Sequence, residues 1–300
     1  MKLSELMAKY KKLLELDDDK SHLTIKAYMS DLDSFKKDFE GDPEINEITS
    51  DQVISYLSSY HKKGRQGKRP ATTMNRMKSS IRTMFEFAVR EYYLVRNPMI
   101  SVNNTKIKDD IPRNIENDDM RKLGAVIEKD VLRDPYNIVF KTVIWIMRYM
   151  GLRVSEATYI KRRKIKTDHI IVLGKGNKER VVPITDRLRA TIDDYLDWLD
   201  RIPLIPEDVV FINKRHEQIS DRMVQIKMKQ YVKEAEIKGD LITPHALRHT
   251  FATNYYRKTK DLKGLQDMLG HESLATTQKY THVDVEEKKK RLEEARDEDL

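Results

Sequence analysis

The stretch YNIVFKTVIWIMRYM at residues 136–150, closed by Gly151, constrains the fold more than any other part of the chain. A helix that is apolar nearly all round must be covered nearly all round. It therefore demands a shell of further elements, and a glycine at its end supplies the left-handed turn that stops such a helix. The run is too short for a bilayer, and nothing in the sequence approaches the roughly 18 consecutive apolar residues of a membrane span. The start, MKLSELMAKYKKLLELDDDK, is charged throughout and lacks the apolar stretch of a signal peptide. With no cysteine in 300 residues, disulfides, thiolate zinc sites and cysteine nucleophiles are excluded. These features predict a cytoplasmic protein with no membrane partner.

Downstream of the buried helix, HIIVLGKGNKERVVPI at 169–184 holds two β-rich runs around a Gly-Lys-Gly-Asn turn, which reads as a hairpin. Helices return after it. The tail VDVEEKKKRLEEARDEDL pairs Glu286 with Lys290 and Glu287 with Arg291 at i,i+4, predicting a helix over 286–300 with too few apolar positions to stand alone.

The first hundred residues are helical by a different pattern. Thr24 caps a helix carrying Ile25, Tyr28, Leu32 and Phe35. A second follows Ser50 with Val53, Ile54, Leu57 and Tyr60, and a third carries the stripe Met74, Met77, Ile81, Met84 and Ala88. Asn97-Pro98 closes the segment. Residues 101–114 lack apolar periodicity and read as a linker. The expected organisation is a helical unit at 1–100, the linker, a second unit at 115–285 and the tail.

Charge is concentrated. Residues 61–90 carry Lys62, Lys63, Arg65, Lys68, Arg69, Arg76, Lys78, Arg82 and Arg90 against Glu86 alone, so this stretch accounts for the whole formal +8 of the chain. A basic helix of this kind is either a solvated surface or the footprint of a phosphate backbone. On the second reading Lys62 to Arg82 contact DNA, mostly through phosphates.

Four segments carry candidate chemistry. Arg153 in GLRVSE lies just past Gly151, at the edge of a rigid core, where it serves either as a surface ion pair or as an anion-binding group. Lys175 sits in the turn GKGNKER, which lacks the spacing of a nucleotide-binding loop. In TPHALRHTFATNYY, Thr243 caps and Pro244 starts a helix that puts His245 and Arg248 on one face, a pairing suited to an oxyanion or phosphate. In MLGHESLATTQKYTHV, His271 follows the helix-ending Gly270, and Tyr280 stands nine residues later.

In this order, GLRVSE, GKGNKERVVPI, HALRHTFAT and LGHESLATTQKYTH resemble the signature boxes of the tyrosine recombinase (phage integrase) family, in its compact, Xer-like branch. The first unit is similar to that family's helical core-binding domain through Thr24–Leu32 and Asn97-Pro98. The resemblance implies a mainly α fold with a small β-hairpin: a helical, SAM-like core-binding domain followed by an α+β catalytic domain. It places catalytic arginines at Arg153 and Arg248, the hairpin lysine at Lys175, histidines at His245 and His271, and the nucleophile at Tyr280. It further implies a 3′-phosphotyrosine intermediate, a double-stranded DNA recombination site as partner, and four protomers on two duplexes with the tail helix docked on a neighbour or on its own unit. No metal and no cofactor is expected.

Two departures from the family pattern stand out. Where many members continue with a leucine-rich turn, this chain has the basic ATYIKRRKIKTD. The core-binding-like helices also begin at once, leaving no room for an additional arm-binding domain. Two rival readings are a type IB topoisomerase-like enzyme and a catalytically silent DNA-binding protein of the same fold. A metal-dependent nuclease lacks grouped carboxylates.

Overall fold

The computed structural model describes residues 1–17, 22–64, 67–106, 115–174, 176, 178–203, 208–237 and 242–270. The chain divides into two compact units, Met1–Asp110 and Ile111–Leu300.

The first unit holds α1 (Leu3–Glu15), α2 (His22–Lys36), α3 (Ser50–Lys62) and α4 (Ala71–Arg90). The methionine stripe of α4 is core: Met74, Met77, Ile81 and Met84 are buried, with Leu32 and Phe35 of α2 and Val53 and Leu57 of α3. Thr49 starts α3 through a reciprocal cap, taking the Gln52 N–H at 3.3 Å while the Gln52 side chain takes the Thr49 N–H at 2.8 Å. Helix α1 adds to the three helices delimited above in the first hundred residues, in a segment whose charge is its most visible feature. Its apolar residues Leu3, Leu6, Met7, Tyr10 and Leu14 nevertheless follow helical spacing and are buried.

The second unit holds α5 (Asn117–Arg133), α6 (Ile138–Met150), α7 (Val154–Thr158), β1 (His169–Leu173), β2 (Glu179–Pro183), α8 (Asp186–Leu199), α9 (Asp221–Glu234), α10 (Pro244–Thr259) and α11 (Leu262–Leu269). The apolar run forms α6, which packs against α5, α7, α8, α9 and α10. Val139, Val143, Ile144, Ile146, Met147 and Met150 are buried. Its burial is less complete than expected, because Lys141, Trp145, Arg148 and Tyr149 form a half-covered face. The Trp145 and Tyr149 rings lie 5.7 Å apart there, and aromatic rings tolerate such partial exposure.

The hairpin forms as expected. Strands β1 and β2 pair antiparallel from His169 opposite Pro183 to Leu173 opposite Glu179, with Ile170, Val172 and Val182 buried. Beyond α7, the basic ATYIKRRKIKTD segment is tied down by its own unit: Arg162 pairs with Asp200 at 2.6 Å, Arg163 with Asp208 at 2.8 Å and Lys164 with Glu179 at 2.7 Å. The described residues thus form a mainly helical fold with one two-stranded sheet. No helix among them is long and apolar enough to cross a membrane. The helix expected at 286–300 lies outside the described residues.

Candidate active site

The site begins where α6 ends. Gly151 takes φ +65°, and a Cβ added there would lie 2.3 Å from Phe251 of α10, so only glycine allows this turn beside that ring. Two residues on, Arg153 is the residue before α7, and Glu156 closes a cap by accepting the Arg153 backbone N–H at 2.8 Å. The same carboxylate accepts Arg153 Nη1 at 2.8 Å. Backbone and guanidinium of Arg153 are therefore held by one side chain.

Arg248 reaches this point from α10. Thr243 caps that helix by accepting the Ala246 N–H at 3.1 Å, with Pro244 in the first turn. Arg248 is buried. It donates to the Gly151 carbonyl at 2.8 Å and the Leu269 carbonyl at 2.7 Å, and its Nη1 lies 3.5 Å from Glu156. The first carbonyl ends α6 and the second ends α11. Both are helix C-terminal acceptors without an intrahelical partner, and the negative end of the helix dipole favours a cation.

A third arginine completes the cluster. Arg180, on β2, spans Glu156 with both terminal nitrogens, at 3.1 and 2.8 Å. Its Nε donates to the Met268 carbonyl at 2.8 Å. Burial by itself pushes the Glu156 carboxyl up. The hydrogen bonds and charge of Arg180, with help from the Arg153 N–H and the charge of Arg248, outweigh burial and hold it below the usual glutamate range. Three guanidiniums around one carboxylate leave a net positive centre, as an anionic substrate requires.

His245 is exposed at the start of α10 and shares with Arg153 a cleft of about 370 Å³, also lined by Ser155, Met228, Lys229 and Thr243. Of the six residues expected to carry catalysis, the structure brings Arg153 and Arg248 onto one carboxylate and sets His245 beside Arg153. Lys175, His271 and Tyr280 lie outside the described residues. Glu156 and Arg180 were not singled out from the sequence. A signal existed for Glu156, since a glutamate three residues after a helix start is the pattern of a capping box. For Arg180 only its inward register on β2 would have served.

The basic stretch of the first unit sorts into two groups. Lys62, Lys63 and Lys68 are exposed. Arg69 lies over the Tyr60 ring, 4.0 Å from its centroid, and donates to the Tyr60 carbonyl. Arg76 pairs with Asp31 at 2.9 Å, Lys78 donates to Asn103 O and Thr105 Oγ1, both at 2.9 Å, and Arg82 bonds Asn104 and Val102. Arg65 lies outside the described residues.

Comparison with known proteins agrees with this geometry. The profile of the phage integrase family matches residues 113–287, and that of the phage integrase N-terminal SAM-like domain matches residues 7–92. The chain belongs to the phage integrase family. It is a site-specific tyrosine recombinase. The tyrosine recombinase XerC of Psychromonas ingrahamii is 34% identical over 251 residues, covering 83% of this chain and 81% of that protein. XerC of Staphylococcus aureus is 32% identical over 276 residues, covering 90% and 89%. The fold is shared with a lambda integrase tetramer bound to a Holliday junction, at a TM-score of 0.72 and 19% identity over 91% of this chain and 78% of that one.

Proposed function

We propose that this protein cuts and rejoins a specific double-stranded DNA site through a 3′-phosphotyrosine link at Tyr280. The observation that supports this best is the convergence of Arg153 and Arg248 on Glu156 beside the cleft that holds His245. A phosphodiester resists attack because it is an anion, and charge grows on its non-bridging oxygens at the transition state. Two arginines anchored by a carboxylate and by helix-end carbonyls meet that charge without reorganising.

In this mechanism the Tyr280 oxygen bonds to phosphorus as the bond from phosphorus to the 5′-oxygen breaks. The phenolic proton passes to His245, and the 5′-oxygen receives a proton from Lys175. His271 donates a hydrogen bond to the phosphate oxygens. Attack by the 5′-hydroxyl of the partner strand reverses each transfer. One phosphodiester replaces another, so no nucleotide is needed to supply energy.

We assign residues 1–100 to gripping the core site and 115–285 to catalysis. DNA contact falls first to Lys62, Lys63 and Lys68, then to Arg65, Arg69, Arg76, Lys78 and Arg82. Four protomers act on two duplexes in the cytoplasm, an assembly supported by the likeness to the lambda integrase tetramer. The Xer-like boxes tilt the host role slightly toward chromosome dimer resolution, the alternative being integration or excision of a mobile element.

The experiment is covalent trapping on nicked DNA drawn from the source genome, run on a denaturing gel. A protease-sensitive shifted band with the wild type that is lost in Tyr280→Phe is the expected result. No band with DNA binding intact would replace this reading with that of a silent DNA-binding protein.

A further inference from the structure

Arg180 commits all three of its guanidinium nitrogens within the second unit, yet the mechanism above gives it no task. It stands opposite Val172 on the hairpin, on the same side of β2 as the buried Val182. Its side chain is 12% exposed. Both Glu156 oxygens and the Met268 carbonyl are its partners. A Cβ on Gly270 would come within 3.0 Å of its guanidinium. Met268 and Leu269 are adjacent, so Arg180 and Arg248 grip consecutive carbonyls at the end of α11, just ahead of His271 in the chain.

The electrostatics give this arrangement a consequence. A carboxylate buried to the degree of Glu156 must be paired, and at these distances inside protein a full charge attracts cations strongly. With Arg180 in place, both carboxylate oxygens accept from a residue that is not among those lining the cleft. The Arg153 guanidinium then gives Glu156 its Nη1, and Arg248 keeps a long contact of 3.5 Å. Without Arg180, the carboxylate is left to Arg153 and Arg248 alone, and it draws Arg248 off its carbonyl anchors and takes up more of Arg153.

We propose that Arg180 is a positioning residue for the recombination reaction: by absorbing the charge of Glu156, it leaves Arg153 and Arg248 their positive charge for the scissile phosphate. This role rests on Arg153 and Arg248 being the phosphate-binding residues of the proposed function. Arg180 touches neither DNA nor the reacting atoms in this role. It acts through Glu156, and through Met268 it fixes the hairpin to the end of α11.

The test is single-turnover adduct formation on nicked duplexes carrying either a normal scissile phosphate or a methylphosphonate, in which one charged non-bridging oxygen is replaced by methyl. Arg180→Ala should slow cleavage of the normal substrate by about 100-fold, the scale for losing one oriented donor to a developing oxyanion. On the neutral substrate, which asks less of the guanidiniums, the deficit should shrink to within about 10-fold of the wild type. Glu156→Gln added to Arg180→Ala should restore at least about 10-fold on the normal substrate, because Arg248 keeps its anchors at Gly151 and Leu269 once the competing charge is gone. Equal deficits on both substrates, with no recovery in the double variant, would mean that Arg180 only supports the fold and would overturn the proposal.

Thermal melts and DNA binding are recorded for each variant, and Arg180→Gln is carried through the same comparison in case Arg180→Ala does not fold. Loss of cooperative melting in both would assign Arg180 to folding and end the proposal. Absence of a wild-type adduct on either substrate would instead remove the active-site reading beneath it.

Discussion

Asn75 and Thr105 exchange two hydrogen bonds of 2.8 Å, the side-chain amide of Asn75 meeting the backbone N–H and C=O of Thr105 as a neighbouring strand would. Lys78 and Arg82, three and seven residues further along α4, bond the backbone of Asn103 and Val102. Residues 102–105, which the sequence presents as the start of a featureless linker, are thereby strapped along one stripe of the helix. The strap uses two of the cations that composition alone assigns to DNA.

Cations already bonded within the chain should release fewer counterions from DNA than free ones. Replacing Lys62, Lys63 and Lys68 with Ala should flatten the dependence of log K on log salt by about 0.9 per lost phosphate contact. Replacing Lys78 and Arg82 should change the slope less and lower the melting temperature of the first unit more. Salt titrations of binding and thermal melts on both variants check this, and a larger slope change in the second variant would show that the strap opens on DNA.

Glu156 makes stability depend on pH. Its folded pKa is depressed, so the stability it contributes is fully present above its ordinary value of 4.5 and is lost as pH falls through the lower folded value. Melting temperature should therefore fall with acidification below that value in the wild type. In Glu156→Gln it should start lower at neutral pH and fall less. Glu156→Ala, which strands buried guanidiniums, should cost about 3–5 kcal/mol. Parallel pH profiles for wild type and Glu156→Gln would contradict the assignment.

Gly151→Ala tests the turn that carries Arg153 out of the core. A left-handed φ of +65° and a Cβ 2.3 Å from Phe251 together predict a loss of about 2–4 kcal/mol in urea unfolding. Adding Phe251→Ala should recover the steric part and leave the backbone part. Additive losses would mean that the ring does not set the constraint.

The role proposed for Lys175, proton donor to the 5′-oxygen, predicts that it becomes dispensable when that oxygen is replaced by sulfur, which leaves without protonation. Lys175→Ala should cleave such a substrate within about 10-fold of the wild type, whereas Arg153→Ala should stay down by about 10²–10³. Equal rescue of both, or of neither, would remove the acid role from Lys175.

Much of this architecture is legible in the order of the amino acids. The period of the apolar residues marks α2, α3, α4 and α6, alternation around a glycine turn marks the hairpin, and the caps Thr243 and Gly151 show where α10 begins and α6 ends. The order of the four boxes points to Arg153, His245 and Arg248. All of these signals are local, because a helix or hairpin reads its pattern within a few residues.

Only the tertiary structure decided who pairs with whom. The chain has 57 Lys and Arg and 49 Asp and Glu, and beyond the three-residue cap spacing of Arg153 and Glu156 nothing in their order says that Glu156 will also hold Arg180, 24 residues away, and Arg248, 92 residues away. Nor does it say that Lys78 and Arg82 will face a strap of their own chain. Charged side chains are long, abundant and interchangeable at the level of pattern, so their partners are settled by where packing of the apolar core brings distant backbones together. The sequence by itself thus determined α2, α3, α4, α6, the start of α10, the hairpin and the family, and the packing that brings α7, α10 and β2 together determined that one buried carboxylate gathers the arginines.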